Sequence, residues 1–307
     1  MEENIDKLRK NVKKLLIKGE LYKIITLLTD ELLETQKDAE LYLLRGNIWY
    51  KKKDYDKAII DYNKAIEINP ENEEVYLLRG NTRYKKKDYD KAIIDYNKAI
   101  ENNPENEEVY ILRGNSWYFK EDNNKAMTYN NAIEDYEKAI TINPDYTLAF
   151  YNKAQANVAR KKYKDAIRDF NKVICLDPNY TDIYVSRGNI KRVHNGDYDG
   201  AIADYTDALK ININDENAYY YRGLGYYNKA LNRTNIDLIK SKQDFEKYLT
   251  LTNKEKNNDG EKYAKLYIEE LNEVINDPDL WSIKQLVNNI KVLLWIREEN
   301  CITHYTS

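Results

Sequence analysis

The stretch YKKKDYDKAIIDYNKAI occupies residues 50–66 and recurs without a change at residues 84–100. The two copies begin 34 residues apart. Self-similarity at an interval of this size constrains the fold more than any local propensity does, because it marks small units that bury their faces by stacking on their neighbours. The punctuation keeps the same interval. Four of the five prolines, Pro70, Pro104, Pro144 and Pro178, are spaced by 34, 40 and 34 residues. Glycine in an Arg-Gly pair recurs at Gly46, Gly80, Gly114, Gly188 and Gly223.

Within one unit, Tyr42, Arg45, Gly46 and Trp49 fall at i, i+3, i+4 and i+7, which is one face of a helix. After the polar KKKD, Tyr55, Ala58, Tyr62 and Ala65 form one face of a second helix. Pro70 cannot continue that helix. Each unit therefore reads as helix, tight turn, helix. Gly46 and Ala58 lie on either side of the turn and are expected to face each other, letting the helices approach closely. Close packing would offset the roughly 1 kcal/mol that a mid-helix glycine costs against alanine.

Composition narrows the function classes. A net charge of −3 over 307 residues lacks the basic excess of a dedicated nucleic-acid binder. Ten glycines and five prolines argue against a loop-rich β protein. The 29 tyrosines are read as genome bias and not as function. MEENIDKLRKNVKKLL has no apolar core of a secretory signal, and no run approaches the length of a membrane span. Cys175 and Cys301 have no metal spacing and fit a reducing, cytoplasmic setting. His194 and His304 have no ligand set around them, and there is no phosphate loop, nucleophile elbow or distinct acid–base pair. No catalysis and no cofactor are expected.

The motif Tyr-x-x-Ala-x-x-x-Tyr-x-x-Ala with a closing proline, at period 34 and with small residues after the first aromatic, resembles the tetratricopeptide repeat family over most of the chain. The resemblance implies an all-α fold, a right-handed superhelical solenoid of antiparallel helix pairs ended by C-terminal capping helices. The repeat array is assigned to 1–255, with copies at 39–72, 73–106, 107–146, 147–180, 181–215 and 216–255. Residues 5–38 form a degenerate copy, with Gly19 in the turn, Ile24 in place of alanine and Leu28 in place of the aromatic. The copies at 107–146 and 216–255 each carry six extra residues, which would lengthen both helices or protrude as a loop. The copy at 181–215 has one extra residue near HNGD and Ile213 in place of proline.

A basic residue before the glycine, which is Ala154 in the copy 147–180, accompanies an aspartate in the second helix: Arg45 and Asp61, Arg79 and Asp95, Arg113 and Asp135, Lys153 and Asp169, Arg187 and Asp204, Arg222 and Asp244. The preferred reading is a structural ion pair, within a copy or to its neighbour. The other is a row of arginines offered to an acidic ligand.

The resemblance implies that first helices line a concave face where a partner protein or extended peptide binds. Numbering each copy from one, position five holds Leu43, Leu77, Ile111 and Tyr151. Position nine holds Asn47, Asn81, Asn115, Gln155 and Asn189, and position twelve holds Tyr50, Tyr84 and Tyr118. Lys51 and Lys85 stand at one edge. Amides offer donor and acceptor to a peptide backbone, and tyrosine offers apolar area with a polar tip. The lysine of a carboxylate-gripping subtype is replaced by Leu43, so no carboxylate clamp is expected. An alternative is that these rows are merely duplicated helix surface. The KKK runs are read as solvated helix ends, favoured near a C-terminus, and not as RNA contacts.

After residue 255 the period stops. Residues 256–300 read as capping or docking helices. The segment 280–296 is apolar on more than one side, with Trp281, Leu286, Leu293 and Trp295 off its main stripe, and this points to a homo-oligomer or to docking on another domain. The tail 301–307, CITHYTS, resembles the opening of a bacterial domain family of unknown function, HYTS. The expected function is a protein-interaction scaffold. The alternative is an N-terminal regulatory or targeting module of a longer effector-type protein.

Overall fold

The computed structural model describes residues 2–230, 235–252 and 259–276. Its described residues form α-helices and turns, with no strand among them. They divide after Ala156 into two compact units. The first unit holds α1 (Glu2–Ile17), α2 (Leu21–Leu27), α3 (Asp30–Gln36), α4 (Ala39–Lys51), α5 (Tyr55–Ile68), α6 (Glu73–Lys85), α7 (Tyr89–Asn102), α8 (Glu107–Phe119), α9 (Lys125–Ile142) and most of α10 (Thr147–Ala159). The second holds α11 (Tyr163–Leu176), α12 (Thr181–Ile190), α13 (Tyr198–Ile211), α14 (Glu216–Ala230), α15 (Asn235–Leu251) and α16 (Asp259–Asn276). Within each unit consecutive helices pack as pairs, and each pair packs on the next. Successive first helices also touch: α4 on α6 and α6 on α8 in the first unit, and α12 on α14 in the second.

The turn between α4 and α5 is fixed by two residues, Lys53 and Asp54. Lys53 N–H donates to the Tyr50 carbonyl and Asp54 N–H to the Trp49 carbonyl, both at 2.9 Å. This closes the helix as a Schellman motif with Lys53 left-handed at φ 63°. Asp54 then caps the next helix, its carboxylate accepting from Lys57 N–H at 3.3 Å. Lys87 and Asp88 repeat the device. The KKKD sequence is thus turn chemistry, with its lysines exposed.

The space that the glycine leaves is taken first by an aromatic ring, with the alanine its spacing suggested close behind, as at Gly114, where a Cβ would also stand 3.2 Å from the Ala132 carbonyl. A Cβ on Gly46 would stand 2.7 Å from Tyr62 Cε1, and one on Gly80 equally close to Tyr96. The same ring covers Gly114 from Tyr136 and Gly188 from Tyr205, and Phe245 takes the place over Gly223. Ala58 is fully buried beside this contact. The glycine is therefore the bed of an aromatic ring four residues beyond the alanine. Among the described residues these rings and Phe170 are the largest fully buried side chains.

The arginine fork spans three helices. Arg79 grips Asp95 through Nε and Nη2 at 3.1 and 2.7 Å, tying α6 to α7, and its Nη1 donates at 2.6 Å to Asn63 on α5. Arg113 repeats this with Asp135 and with Asn97 on α7. Arg187 does so with Asp204 and Asn171, and Arg222 with Asp244 and Thr206. Arg45 holds Asp61 and sends Nη1 to the Leu28 carbonyl at 2.8 Å. That carbonyl is exposed to it because the degenerate copy's second helix is broken, α3 starting afresh after the Thr29 cap. Each fork lies over a tyrosine three residues earlier, as Arg79 over Tyr76 at 5.5 Å. Asp95 is wholly buried. Burial pushes its carboxyl up, while Arg79 and Arg83 pull it back down. The structural reading of the ladder is the one seen for these five pairs. Lys153 faces Glu137 at 3.4 Å within the first unit.

The extra residues go to distinct places. In the pair α8–α9 the first helix keeps 13 residues, the second grows to 18 from the 14 of α5 and α7, and the rest widen the turn. In α14–α15 both helices are longer, at 15 and 17 residues. The single extra residue of 181–215 is absorbed as a π-helical turn at Lys191–Asn195, closed by left-handed Gly196. The docking candidates Trp281, Leu286, Leu293 and Trp295 lie outside the described residues.

Asp135, which has no second arginine on it among the described residues, gives the clean case: Asp135→Ala should strand the Arg113 charge and lower stability by about 3–5 kcal/mol, whereas Arg113→Met with Asp135→Leu should be close to neutral. Urea denaturation followed by circular dichroism reads both, and equal losses would refute the fork as a pair. Ala58→Leu should overpack the bed of Tyr62 and cost about 1–3 kcal/mol in the same assay.

Candidate partner-binding surface

Positions two, five, nine and twelve of a first helix lie at spacings of 3, 4 and 3, and so share one face. On α6 that face is Glu74, Leu77, Asn81 and Tyr84, with Lys85 beside the last. On α4 it is Glu40, Leu43, Asn47, Tyr50 and Lys51. On α8 it is Glu108, Ile111, Asn115, Tyr118 and then Phe119 where the others have lysine. Because α4, α6 and α8 touch in order, these columns make one wall in the first unit. Its acidic end opens on a hollow of about 610 Å³ walled by Glu40, Leu43, Asn47, Ile68, Asn72 and Glu74, among others.

Not every expected residue is available there. Leu43 is 7% exposed and Ile111 only 2%, so both belong to the packing between helices and offer a partner almost nothing. Leu77 and Tyr151 are half-buried, and Lys51 and Lys85 are exposed.

The asparagine row has a structural task. Tyr62, Tyr96 and Tyr136 hydroxyls donate to the Oδ1 atoms of Asn47, Asn81 and Asn115 at 2.8, 2.8 and 2.9 Å. Tyr205 and Asn189 form the same bond at 2.8 Å in the second unit. Where the ring is phenylalanine, at Phe170 and Phe245, position nine of the same copy is Gln155 or Leu224. Gln155 instead donates to the Tyr151 hydroxyl at 3.0 Å. Loss of the hydroxyl and loss of the asparagine go together. Each asparagine oxygen thus already accepts one bond, and that of Asn115 accepts a second, from Asn152 Nδ2 at 3.0 Å.

The tyrosines of position twelve are half-buried. Burial pushes the Tyr84 and Tyr118 hydroxyls up to about 12, so both stay neutral donors. Tyr84 lies 5.4 Å from Tyr89 and 6.3 Å from Phe119, and Phe119 lies 5.1 Å from Tyr118, which continues to Tyr129 at 5.3 Å. Phe119 was missed in the sequence. The signal was the break in the lysine row, visible once the copies are aligned by position.

In the second unit His194 stacks flat on Tyr163 at 3.7 Å. Burial lowers its imidazole pKa, helped by Arg192 and Lys161. Among the described residues no group of three or more histidine, cysteine or acidic side chains could hold a metal ion.

Profiles described as TPR repeat and Tetratricopeptide repeat match residues 46–87, 73–106 and 128–181. No curated protein matches the sequence. The C-terminal part of a TPR repeat-containing protein from Cytophaga hutchinsonii is 22% identical with a TM-score of 0.67, over 80% of this chain and 96% of that one. MamA protein is 26% identical with a TM-score of 0.50, over 58% and 91%. YrrB, described as a TPR protein with an unusual peptide-binding site, is 20% identical with a TM-score of 0.51, over 61% and 93%.

Tyr96→Phe alone should lower stability by about 1 kcal/mol, the net worth of a buried hydrogen bond. Adding Asn81→Leu should recover part of that loss, reproducing the Leu224 and Phe245 combination. Urea midpoints of the two singles and the double give the coupling, and strict additivity would show that the bond is not a unit.

Proposed function

We propose that this chain, a tetratricopeptide repeat protein, is a protein-interaction scaffold that seats a segment of a partner protein on the wall of α4, α6 and α8. The observation that carries this reading is the row of half-buried tyrosines, Tyr50, Tyr84 and Tyr118, standing beside the half-buried amides of Asn47, Asn81 and Asn115. Such residues combine large contact area with polar tips and little rotamer entropy, which suits recognition. Among the described residues no helix is long and apolar enough to cross a membrane.

A rival surface exists on the second helices. Ile60 and Ile94 are each 58% exposed and repeat at the same interval. A displayed library of random peptides selected on the full chain separates the two. Selected peptides should lose about tenfold or more in affinity on Tyr84→Ala with Tyr118→Ala, in the range of interface hot spots. They should be unaffected by Ile60→Ala with Ile94→Ala. The reverse pattern, in variants whose helical circular dichroism and melting are intact, would move the site to the second helices.

A further inference from the structure

The wall carries charge in two opposed rows. Glu74 and Glu108 stand exposed in the first turns of α6 and α8, and Lys51 and Lys85 stand exposed in the last turns of α4 and α6. Among the described residues none of these four makes an ion pair, whereas Glu40 is already neutralised by Arg9 and Lys13 at 3.1 and 2.8 Å. From Glu74 to Lys85 is eleven residues of one helix, about 16 Å along its axis. Between the rows lie Leu77, the asparagines and the tyrosines.

Resting on the scaffold reading above, we infer that the occupant of this wall is an amphipathic α-helix of a partner protein, with a basic flank and an acidic flank on either side of its apolar seam. The width fits, because a helix with its side chains is about 10–12 Å across. The layout of the wall favours a helix over an extended chain. Three things must be met side by side: an acidic row, an apolar strip and a basic row. Side chains of an extended segment alternate between only two faces, whereas those of a helix point all round its axis and can offer two charged flanks on either side of one seam. A helix also satisfies its own backbone, so the wall has only to meet side chains. The seam would rest on Leu77, Tyr84 and Tyr118, the basic flank on Glu74 and Glu108, and the acidic flank on Lys51 and Lys85. A helix with its basic flank on either side of the seam can be seated, because turning it end for end exchanges its flanks. The pattern therefore specifies segregation of charge and not polarity of the chain.

The test uses synthetic 20-residue helical peptides with one leucine seam and three flank patterns: lysine opposite glutamate, lysine on both sides, glutamate on both sides. A fourth peptide carries the segregated composition with prolines that forbid a helix. Fluorescence anisotropy against the full chain should rank the segregated helix first by roughly fivefold or more, with the preference shrinking as salt rises. Glu74→Lys with Glu108→Lys should transfer the preference to the peptide with glutamate on both flanks, and Lys51→Glu with Lys85→Glu to the peptide with lysine on both. All four substitutions lie at exposed positions, so folding should be unaffected. If the proline peptide binds as tightly as the helices and Tyr84→Ala weakens it, the scaffold reading stands and the helical occupant is refuted. If flank pattern and charge reversal make no difference, the charged rows are irrelevant and the inference falls. If none of the peptides binds, both the inference and the site on this wall fall.

Discussion

The arginine fork is the contact on which the rest of the stack depends. Its plane is already set for a carboxylate, so Nε and Nη2 can close on an aspartate while Nη1 points elsewhere. In Arg79 and Arg113 that third nitrogen reaches the preceding pair, at Asn63 and Asn97. One side chain thus fixes the two helices of its own pair and the offset to the pair before. Lysine, with a single ammonium on a flexible stem, could do one of these and not both. The desolvation of a buried carboxylate is severe, and the fork with its tyrosine platform is what makes Asp95 tolerable at full burial. Since the fork always reaches backwards, a copy can be duplicated verbatim provided its predecessor supplies an acceptor. The degenerate first copy supplies one by breaking its second helix at Leu28.

The tyrosine on the glycine links packing to surface chemistry. Its ring fills the space that the missing Cβ leaves, and its hydroxyl then emerges against the asparagine of the first helix. The fold consequently commits part of each amide before any partner arrives. An asparagine row read from sequence looks wholly available, but in the folded row every oxygen already holds one tyrosine hydroxyl.

The helix pairs and the arginine–aspartate ladder were legible in the sequence because both repeat with a period that no other fold explains. The partner of the glycine was not. Gly46 and Ala58 look complementary as a pair of small residues, and nothing in one dimension shows that Tyr62, one turn further on, leans across to occupy the gap. The wall was legible by position but not by depth. Leu43 and Ile111 sit at the same place in their copies as half-buried Leu77, yet each is sealed by its own neighbours. The extra residue near His194 was visible as a count, while its absorption in a π-helical turn required the backbone.

The identical copies raise a difficulty that the structure answers. A wall made of equal columns gives a bound segment no reason to prefer one register over another shifted by a unit, since every contact is remade after the shift. Affinity would gain from repetition and specificity would not. Phe119 removes the equivalence. It replaces the lysine of the two previous columns, stacks toward Tyr89 at 6.4 Å and joins Tyr84 to Tyr118 across the boundary between copies. The same pair carries the widened turn and the long α9. Charge therefore runs out of the basic row where the aromatic patch begins, and a segment displaced by one unit would set an acidic side chain against a phenylalanine ring. On the proposed reading, the matching columns of α4 and α6 would supply the surface, and the divergent column of α8 would fix where on it a partner stops.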